Sequence, residues 1–203
     1  MSLRTSVDYY TTRLAALAPG GFFFAVHIRF ALPLMHHQTY PQGWTDLYTE
    51  EAYALRDPII AWGFSEVGTS RWSEITIPDP FNILGQAQDF GMKYGFAVSC
   101  GPMKSRTIAS AAREDREFTD EEMLDFSRLI QQLHTLTEPP KSLTDAQIEA
   151  LRCVANGDRH AAAAARLNIS ESAFKARLTA ARASLLARTT AEAIQRARDY
   201  RLL

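Results

Sequence analysis

The sequence predicts an α+β fold in two parts: an N-terminal α/β/α sandwich with a central antiparallel sheet, and a C-terminal four-helix domain. Three observations carry this. The front of the chain alternates β-rich runs with helical periodicity, whereas the back, from Leu143 onward, shows helical periodicity alone. Between them Thr135-Leu136-Thr137-Glu138-Pro139-Pro140-Lys141-Ser142 has two prolines and no periodicity, the mark of a linker. The expected boundaries are 1–137, 138–142 and 143–203, and each domain is long enough to bury a core.

Residues 5–18 read as an amphipathic helix with Tyr9, Leu14 and Leu17 facing inward. After Pro19-Gly20-Gly21, the aromatic and β-branched run 22–30 is a strand, and 32–40 is its antiparallel partner. A helix over 44–55 stops before Asp57-Pro58, because a residue preceding proline disfavours helical geometry. Residues 79–94 are expected to be helical, and 96–102 and 106–112 to be strands. Thr119 and Glu122 form a capping box for a long helix with Phe126, Leu129, Ile130, Leu133 and Leu136 in one stripe. An antiparallel sheet with helices on both sides can enclose a ligand pocket.

The C-terminal region opens with a second capping box, Thr144 and Gln147, before Ile148, Leu151 and Val154 at helical spacing, and Gly157 closes that helix. A short alanine-rich helix spans 159–167. Ser170 then caps a third helix whose Phe174, Leu178, Ala181 and Leu185 share one face. Thr189 and Glu192 box a fourth. The outer face of the third helix carries Ser172, Lys175, Thr179 and Arg182, with Arg177 on its flank. Such side chains meet phosphates and base edges, so the pattern suits a helix-turn-helix lying on DNA. A four-helix unit that only packs is the competing reading.

Charge sharpens the division. From Leu143 onward ten Lys/Arg face six Asp/Glu, a net of +4, while residues 1–138 hold eleven against seventeen, a net of −6. A basic module on an acidic partner domain orients itself on a polyanion. No apolar run reaches the length of about 18 residues that spanning a membrane requires, and the N-terminus lacks a secretory signal. A soluble cytoplasmic protein is therefore expected. Cys100 and Cys153 show no metal or redox spacing and read as buried free thiols. Adjacent His36 and His37 point to opposite faces of a strand, and His27, His134 and His160 stand alone in the sequence. The acidic stretch 114–122 reads as a solvated face leading into a helix. No catalytic constellation, cofactor motif or metal set is visible, so neither an enzyme nor a cofactor is expected.

The stretch Tyr40-Pro41-Gln42-Gly43-Trp44-Thr45-Asp46-Leu47-Tyr48, followed by Asp57-Pro58, Trp72 and Gly95, resembles the ligand domain of the LuxR-type quorum-sensing regulators. The C-terminal part is similar to that family's DNA-binding domain through Leu143-Thr144, Glu149, Leu151, Gly157, Leu167, Ile169-Ser170 and Leu202-Leu203. The resemblance implies a PAS/GAF-like ligand domain that binds an N-acyl-homoserine lactone and a homodimer that binds DNA. It assigns Asp57 as acceptor for the ligand amide, Trp44 as donor to the lactone carbonyl, and Tyr40 as donor to the acyl carbonyl. Tyr48 and Trp72 supply aromatic walls. Phe22, Phe24, Phe30, Tyr53, Ile60 and Phe64 are candidates for lining the tail channel.

Departures from the family are also legible. The position on the last pocket strand that commonly holds Ser or Thr falls on Ala111, with Ser110 beside it, so one polar contact is expected to be missing or differently supplied. Asp158 stands where a basic residue is common, Ala162 and Ala163 replace Glu-Ile, and Phe174 replaces Val. These motivate a second reading, a ligand-binding or heterodimerising anti-activator with weakened DNA affinity. A receptor of the same fold for a different signal is a third. The stripe on the long helix is the expected seam of the homodimer.

Overall fold

The computed structural model describes residues 3–28, 32–138, 143–185, 187–200 and 202–203. It divides the chain into two compact units, Met1–Glu138 and Pro139–Leu203. Residues 139–142 of the expected linker lie outside the described residues.

The first unit contains helices α1 (Leu3–Leu17), α2 (Gln42–Glu50), α3 (Pro58–Ser65), α4 (Ile83–Gln88) and α5 (Asp120–Thr137). Its strands are β1 (Phe22–Ile28), β2 (Met35–Gln38), β3 (Gly68–Arg71), β4 (Tyr94–Cys100) and β5 (Arg106–Arg113), in the order β2-β1-β5-β4-β3, antiparallel throughout. Strand alternation sorts the central strands onto two faces. Phe22, Phe24, Val26, Phe96, Val98, Ala109 and Ala111 pack with Leu14 of α1 and with Met123, Phe126, Leu129, Ile130 and Leu133 of α5. Phe23, Ala97 and Ala112 belong instead to a cluster with Trp44, Tyr53, Ile59, Trp72 and Ile83. Helices on both sides of an antiparallel sheet make the expected sandwich.

Several boundaries differ from the sequence reading. The helix expected over 44–55 ends at Glu50, because Ala52 turns left-handed (φ 51°) and a short 3-10 turn, Tyr53–Leu55, follows. Asp57-Pro58 does more than stop a helix: Asp57 caps α3 through the Ile59 N–H, and Pro58 takes the first-turn position where its missing N–H costs nothing. Of 79–94 only α4 is helical. Asp79 flanked by Pro78 and Pro80 delays its start, Asn82 is left-handed (φ 53°), and Gly91 (φ 77°) turns the chain into β4. Strand β3 is short and polar, without an alternating apolar signature. Arg29 and Phe30, expected in the first strand, lie outside the described residues.

Side-chain placement also corrects the pattern reading. Tyr9 is 52% exposed, whereas Val7 and Leu14 are buried. The long helix has its capping box as expected, but its stripe from Phe126 to Leu133 is consumed by its own core. It is therefore not the dimer seam, and Leu136 points outward. The acidic run is paired rather than merely solvated: Arg113 contacts Asp115 and Glu122, and Arg116 contacts Glu122. These partners, Arg116 first, hold the Glu122 carboxyl down at about 2. His27 and His134 do not stand alone, since their rings stack 4.3 Å apart.

The second unit comprises α6 (Asp145–Ala155), α7 (His160–Arg166), α8 (Glu171–Ser184) and α9 (Thr190–Asp199). Thr144 and Gln147 form the expected capping box, Gly157 (φ 88°) follows the end of α6, and Ser170 accepts from the Ala173 N–H at the start of α8. At α9 the Thr189 side chain caps as expected, but Glu192 reaches back to the Arg188 N–H instead of completing the box. Leu151, Ala163, Phe174, Leu178, Ala181, Leu185 and Ala193 share one core. Phe174 is fully buried beside Ala163, so the large ring occupies volume that the small residue leaves.

Candidate functional site

A cavity of about 170 Å³ opens on the Phe23 face of the sheet, bounded by α2, α3 and α4. Tyr40, Trp44, Tyr48, Asp57 and Trp72, which the sequence singled out across 33 positions, all line it. Each arrives by a local rule. Trp44 and Tyr48 are four residues apart on α2 and therefore share a face, with ring centroids 5.7 Å apart. Asp57 is fixed by its capping role, and Trp72 by the turn that follows β3.

The polar groups of the wall form one connected set. The Tyr48 hydroxyl donates to Asp57 Oδ2 at 2.7 Å, and the Ile59 N–H donates to Oδ1 at 2.7 Å. Tyr40 Oη donates to the Ser110 carbonyl at 3.1 Å. Trp72 Nε1 donates to Ser110 Oγ at 2.9 Å, which itself donates to the Phe96 carbonyl at 2.8 Å. The Trp44 indole N–H has no hydrogen-bond partner among the described residues. Burial pushes the Asp57 carboxyl up, against the opposing hydrogen bonds from Tyr48 and Ile59. Burial likewise raises both Tyr40 and Tyr48, so the phenols stay neutral donors. The site thus offers a buried acceptor, an uncommitted indole donor and phenols able to exchange partners, set in apolar walls.

Two expectations need correction. Ala111 does not face the cavity: it pairs with Phe22 and packs into the opposite core under α1 and α5. Because alternate strand residues point to opposite faces, Ser110 is the polar side chain on the cavity side, and it stands behind Tyr40 and Trp72. Ser110 does not itself line the cavity; its hydroxyl is taken up by the Trp72 indole and the Phe96 carbonyl. Among the described tail-channel candidates only Ile60 lines the cavity. Phe22 and Phe24 lie in the opposite core, Tyr53 packs behind Trp44, Phe64 packs with Ala25 and Ile108, and Phe30 is outside the described residues.

Sequence reasoning missed Phe23, Gln38, Ala54, Ile59, Ile83, Leu84 and Ala87, which complete the lining. The run Phe22-Phe23-Phe24 carries no alternation to say which ring points where. The pairing of Phe23 with Ser110 settles it. Gly95 is explained by contact: a Cβ there would collide with the Trp72 indole, so only glycine seats that wall.

In the second unit, Ser172, Lys175 and Thr179 are exposed along α8, while Arg182 and Arg177 are partly buried. Lys175 pairs with Glu171 at 2.7 Å, Arg182 donates to Thr179 Oγ1 at 3.1 Å, and Ser172 Oγ lies 2.9 Å from Ser170 Oγ. Asp158 is paired with Arg166 at 2.7 Å. Cys100 and Cys153 are free, buried thiols, and burial pushes Cys100 up to about 11. Among the described residues no group of three or more His, Cys, Asp or Glu is arranged to hold a metal, and no helix is long and apolar enough to cross a membrane.

Comparisons with known proteins agree with this fold. The structure is similar to Escherichia coli SdiA, with 18% identity, a TM-score of 0.56, and coverage of 100% of this chain and 92% of that one. SdiA in complex with octanoyl-rac-glycerol aligns with 16% identity over 98% of this chain and 89% of that one, at a TM-score of 0.55. CepR2 from Burkholderia cenocepacia, an N-acylhomoserine lactone dependent LuxR family transcription factor, aligns with 17% identity, 67% and 83% coverage and a TM-score of 0.51. At these identities the likeness is one of fold. No curated protein matches the chain. Residues 24–138 match the autoinducer binding domain, a family that binds a signal molecule and not a cofactor. The chain belongs to the autoinducer binding domain family.

Proposed function

We propose that this chain is a quorum-sensing transcriptional regulator of the cytoplasm. Its N-terminal unit takes an N-acyl-homoserine lactone, and its C-terminal helix-turn-helix binds DNA as a homodimer. The observation that carries the reading is the convergence of Tyr40, Trp44, Tyr48, Asp57 and Trp72 on one cavity, with an acceptor at Asp57 and an uncommitted N–H at Trp44. An acyl-homoserine lactone brings one amide N–H, two carbonyls, a compact ring and an apolar tail. Burying the amide unpaired costs about 1–3 kcal/mol, which Asp57 removes by accepting a hydrogen bond from its N–H. Trp44 donates to the lactone carbonyl. Tyr40 turns its hydroxyl from the Ser110 carbonyl to the acyl carbonyl. Tyr48 and Trp72 wall the ring.

The C-terminal reading rests on the α7–α8 arrangement and the polar outer face of α8. A single such unit offers a small interface, so two are needed for useful affinity. Two observations favour DNA binding over the anti-activator reading that Asp158, Ala162 and Ala163 motivate: Asp158 is paired with Arg166, and the large Phe174 shares the core with the small Ala163. A different signal stays in view for a chemical reason. The hydroxyls of a monoacylglycerol also donate to a carboxylate, and octanoyl-rac-glycerol is the ligand bound to SdiA. Isothermal titration with matched octanoyl-homoserine lactone and octanoylglycerol decides between them. Tighter lactone binding supports the reading, and binding of glycerol ester alone overturns the lactone assignment.

A further inference from the structure

Two histidines fasten the end of α5 to the sheet. His27 is buried at the bulge of β1, with a left-handed backbone (φ 52°) and the β1–β5 register shifted around it. Its Nε2 lies 2.9 Å from the His134 carbonyl and 3.1 Å from Thr137 Oγ1. A carbonyl only accepts, and the Thr137 hydroxyl donates to the Leu133 carbonyl at 2.7 Å, so Nε2 carries the hydrogen. In a neutral ring Nδ1 then accepts from the Ser105 hydroxyl at 2.8 Å. The His134 ring stacks on this one, 4.3 Å between centroids, and its Nδ1 lies 2.8 Å from Thr107 Oγ1. That oxygen accepts from the His27 N–H, which leaves the Thr107 hydroxyl hydrogen for His134 Nδ1. Gly101 shapes the seat, since a Cβ there would stand 2.5 Å from His134 Cε1.

The surroundings oppose a charge on either ring. Arg106 of β5 is buried and donates to the Gly101 carbonyl at 2.7 Å, and Lys104 lies on the turn that carries Ser105. The Cys100 thiol of β4 stays neutral, pushed up to about 11 by burial. From α1 the neighbour along this end of α5 is Tyr10, beside Gln131 and Thr135. Glu138, exposed at the helix end, favours protonation of His134 against the larger cost of burial. His134 is the more exposed of the two histidines, and it reaches water when the last turn of α5 lifts off Thr107.

We propose that the His27–His134 stack is an acid-sensitive latch that holds the last turn of α5, 134–138, on the sheet and so sets where the first unit ends and the linker begins. Protons bind the lifted turn in preference to the latched one. The latched state disfavours the charged ring, so the latch is full above the ordinary histidine value of about 6.5 and is lost as pH falls below it. Lifting the turn parts Thr137 and the His134 carbonyl from His27 and adds these residues to the segment leading into the second unit. The latch does not depend on what the cavity binds.

The test is hydrogen exchange of the full chain by mass spectrometry, corrected for the intrinsic effect of pH on exchange. With an ordinary histidine in the lifted turn, opening over 134–138 is expected to rise about tenfold from pH 7.5 to pH 5.5, while 123–130 of the same helix holds its protection. His134→Gln, which takes up no proton, is expected to give equal protection at both pH values. His27→Asn, whose side chain tolerates a left-handed backbone, is expected to leave the turn unprotected at both. Equal protection at both pH values in the unaltered protein overturns the proposal, as does a tenfold change that persists in His134→Gln. Should a variant fail to fold, ring-nitrogen NMR spectra of the unaltered protein decide. They are expected to show hydrogen on His27 Nε2 alone at pH 7.5, and His134 titrating in step with the loss of protection. A charged His27 at pH 7.5, or a His134 that titrates while the turn stays protected, overturns the latch.

Discussion

The Tyr48 hydroxyl and the Asp57 carboxylate meet at 2.7 Å, and the second carboxylate oxygen is held by the Ile59 N–H at the same distance. One residue thus caps a helix and faces a cavity, so its two tasks can be separated by substitution. Asparagine caps as well as aspartate: its one oxygen can still accept from the Ile59 N–H, while its NH2 group, standing in place of Oδ2, donates to the Tyr48 hydroxyl. What it loses is charge at the ligand. Asp57→Asn is expected to weaken lactone binding by about 1.5–3 kcal/mol, roughly ten- to hundredfold, in isothermal titration.

The same substitution carries a stability prediction with the opposite sign. Burial raises the Asp57 carboxyl in the folded chain, so its contribution is fully present below the unfolded value and is lost as pH rises through the folded one. Asp57→Asn removes that loss, and the unliganded variant is expected to melt no lower than the parent at neutral pH. Asp46→Asn serves as control, since Asp46 is exposed and only accepts from Gln42. Asp79 does not serve, because it anchors the start of α4 through the Ile83 and Leu84 N–H groups. Unchanged lactone affinity in Asp57→Asn would remove the carboxylate from the site.

Gly95 and Trp72 form a second testable pair. The indole occupies the space where a side chain on Gly95 would stand, and its N–H is tied to Ser110 at 2.9 Å. Gly95→Ala drives the ring out of its seat and is expected to cost about 1–3 kcal/mol by overpacking, read from urea denaturation. Trp72→Phe keeps a ring against Gly95 and leaves Ser110 donating to the Phe96 carbonyl, so the lost hydrogen bond amounts to about 1 kcal/mol. A Gly95→Ala protein as stable as its parent would show that the indole moves freely.

These pairs show which features the sequence made legible. Helix starts were readable wherever a side chain closes the first turn: Thr119, Thr144, Ser170 and Thr189 all accept from the expected N–H. The aromatic wall was readable through the family resemblance, which picked out Trp44, Tyr48, Asp57 and Trp72, and all four line the cavity. Facing was not readable in β1 or β5. Phe22-Phe23-Phe24 and Ala109-Ser110-Ala111-Ala112 are locally uniform in polarity or size, and only register between strands assigns each side chain to a face. The extra residue at His27, which is left-handed (φ 52°) and shifts the β1–β5 register, leaves no compositional trace.

That bulge supports a pH prediction. His27 Nδ1 lies 2.8 Å from Ser105 Oγ, its Nε2 lies 2.9 Å from the His134 carbonyl, and the two rings stack. Burial lowers His134, with Glu138 opposing weakly, so the folded chain disfavours its protonated form. A depressed value means that stability is full above the ordinary histidine value of about 6.5 and is lost as pH falls below it. Thermal melts are expected to drop between pH 7.5 and 5.5, and His134→Gln is expected to flatten that drop. An equal drop in both proteins would assign the dependence elsewhere.

The outer face of α8 provides the last prediction. Lys175 is engaged by Glu171 at 2.7 Å, and Arg182 by Thr179 at 3.1 Å, so each cation on this face has a local partner that DNA must replace. Replacing Arg182 by alanine removes one phosphate contact and is expected to reduce the salt slope of binding by about one unit. If Arg182 instead reads guanine, the loss is about 1–3 kcal/mol on the specific duplex only. Glu171→Gln acts in the other direction. It frees Lys175 and removes an anion from the face, and so is expected to strengthen binding to specific and scrambled duplexes alike. A gel-shift series over salt, on both duplexes, reads all three outcomes. Should the unaltered protein fail to retain genomic fragments at low salt, with and without lactone, the helix-turn-helix reading falls and a protein-binding role for the second unit takes its place.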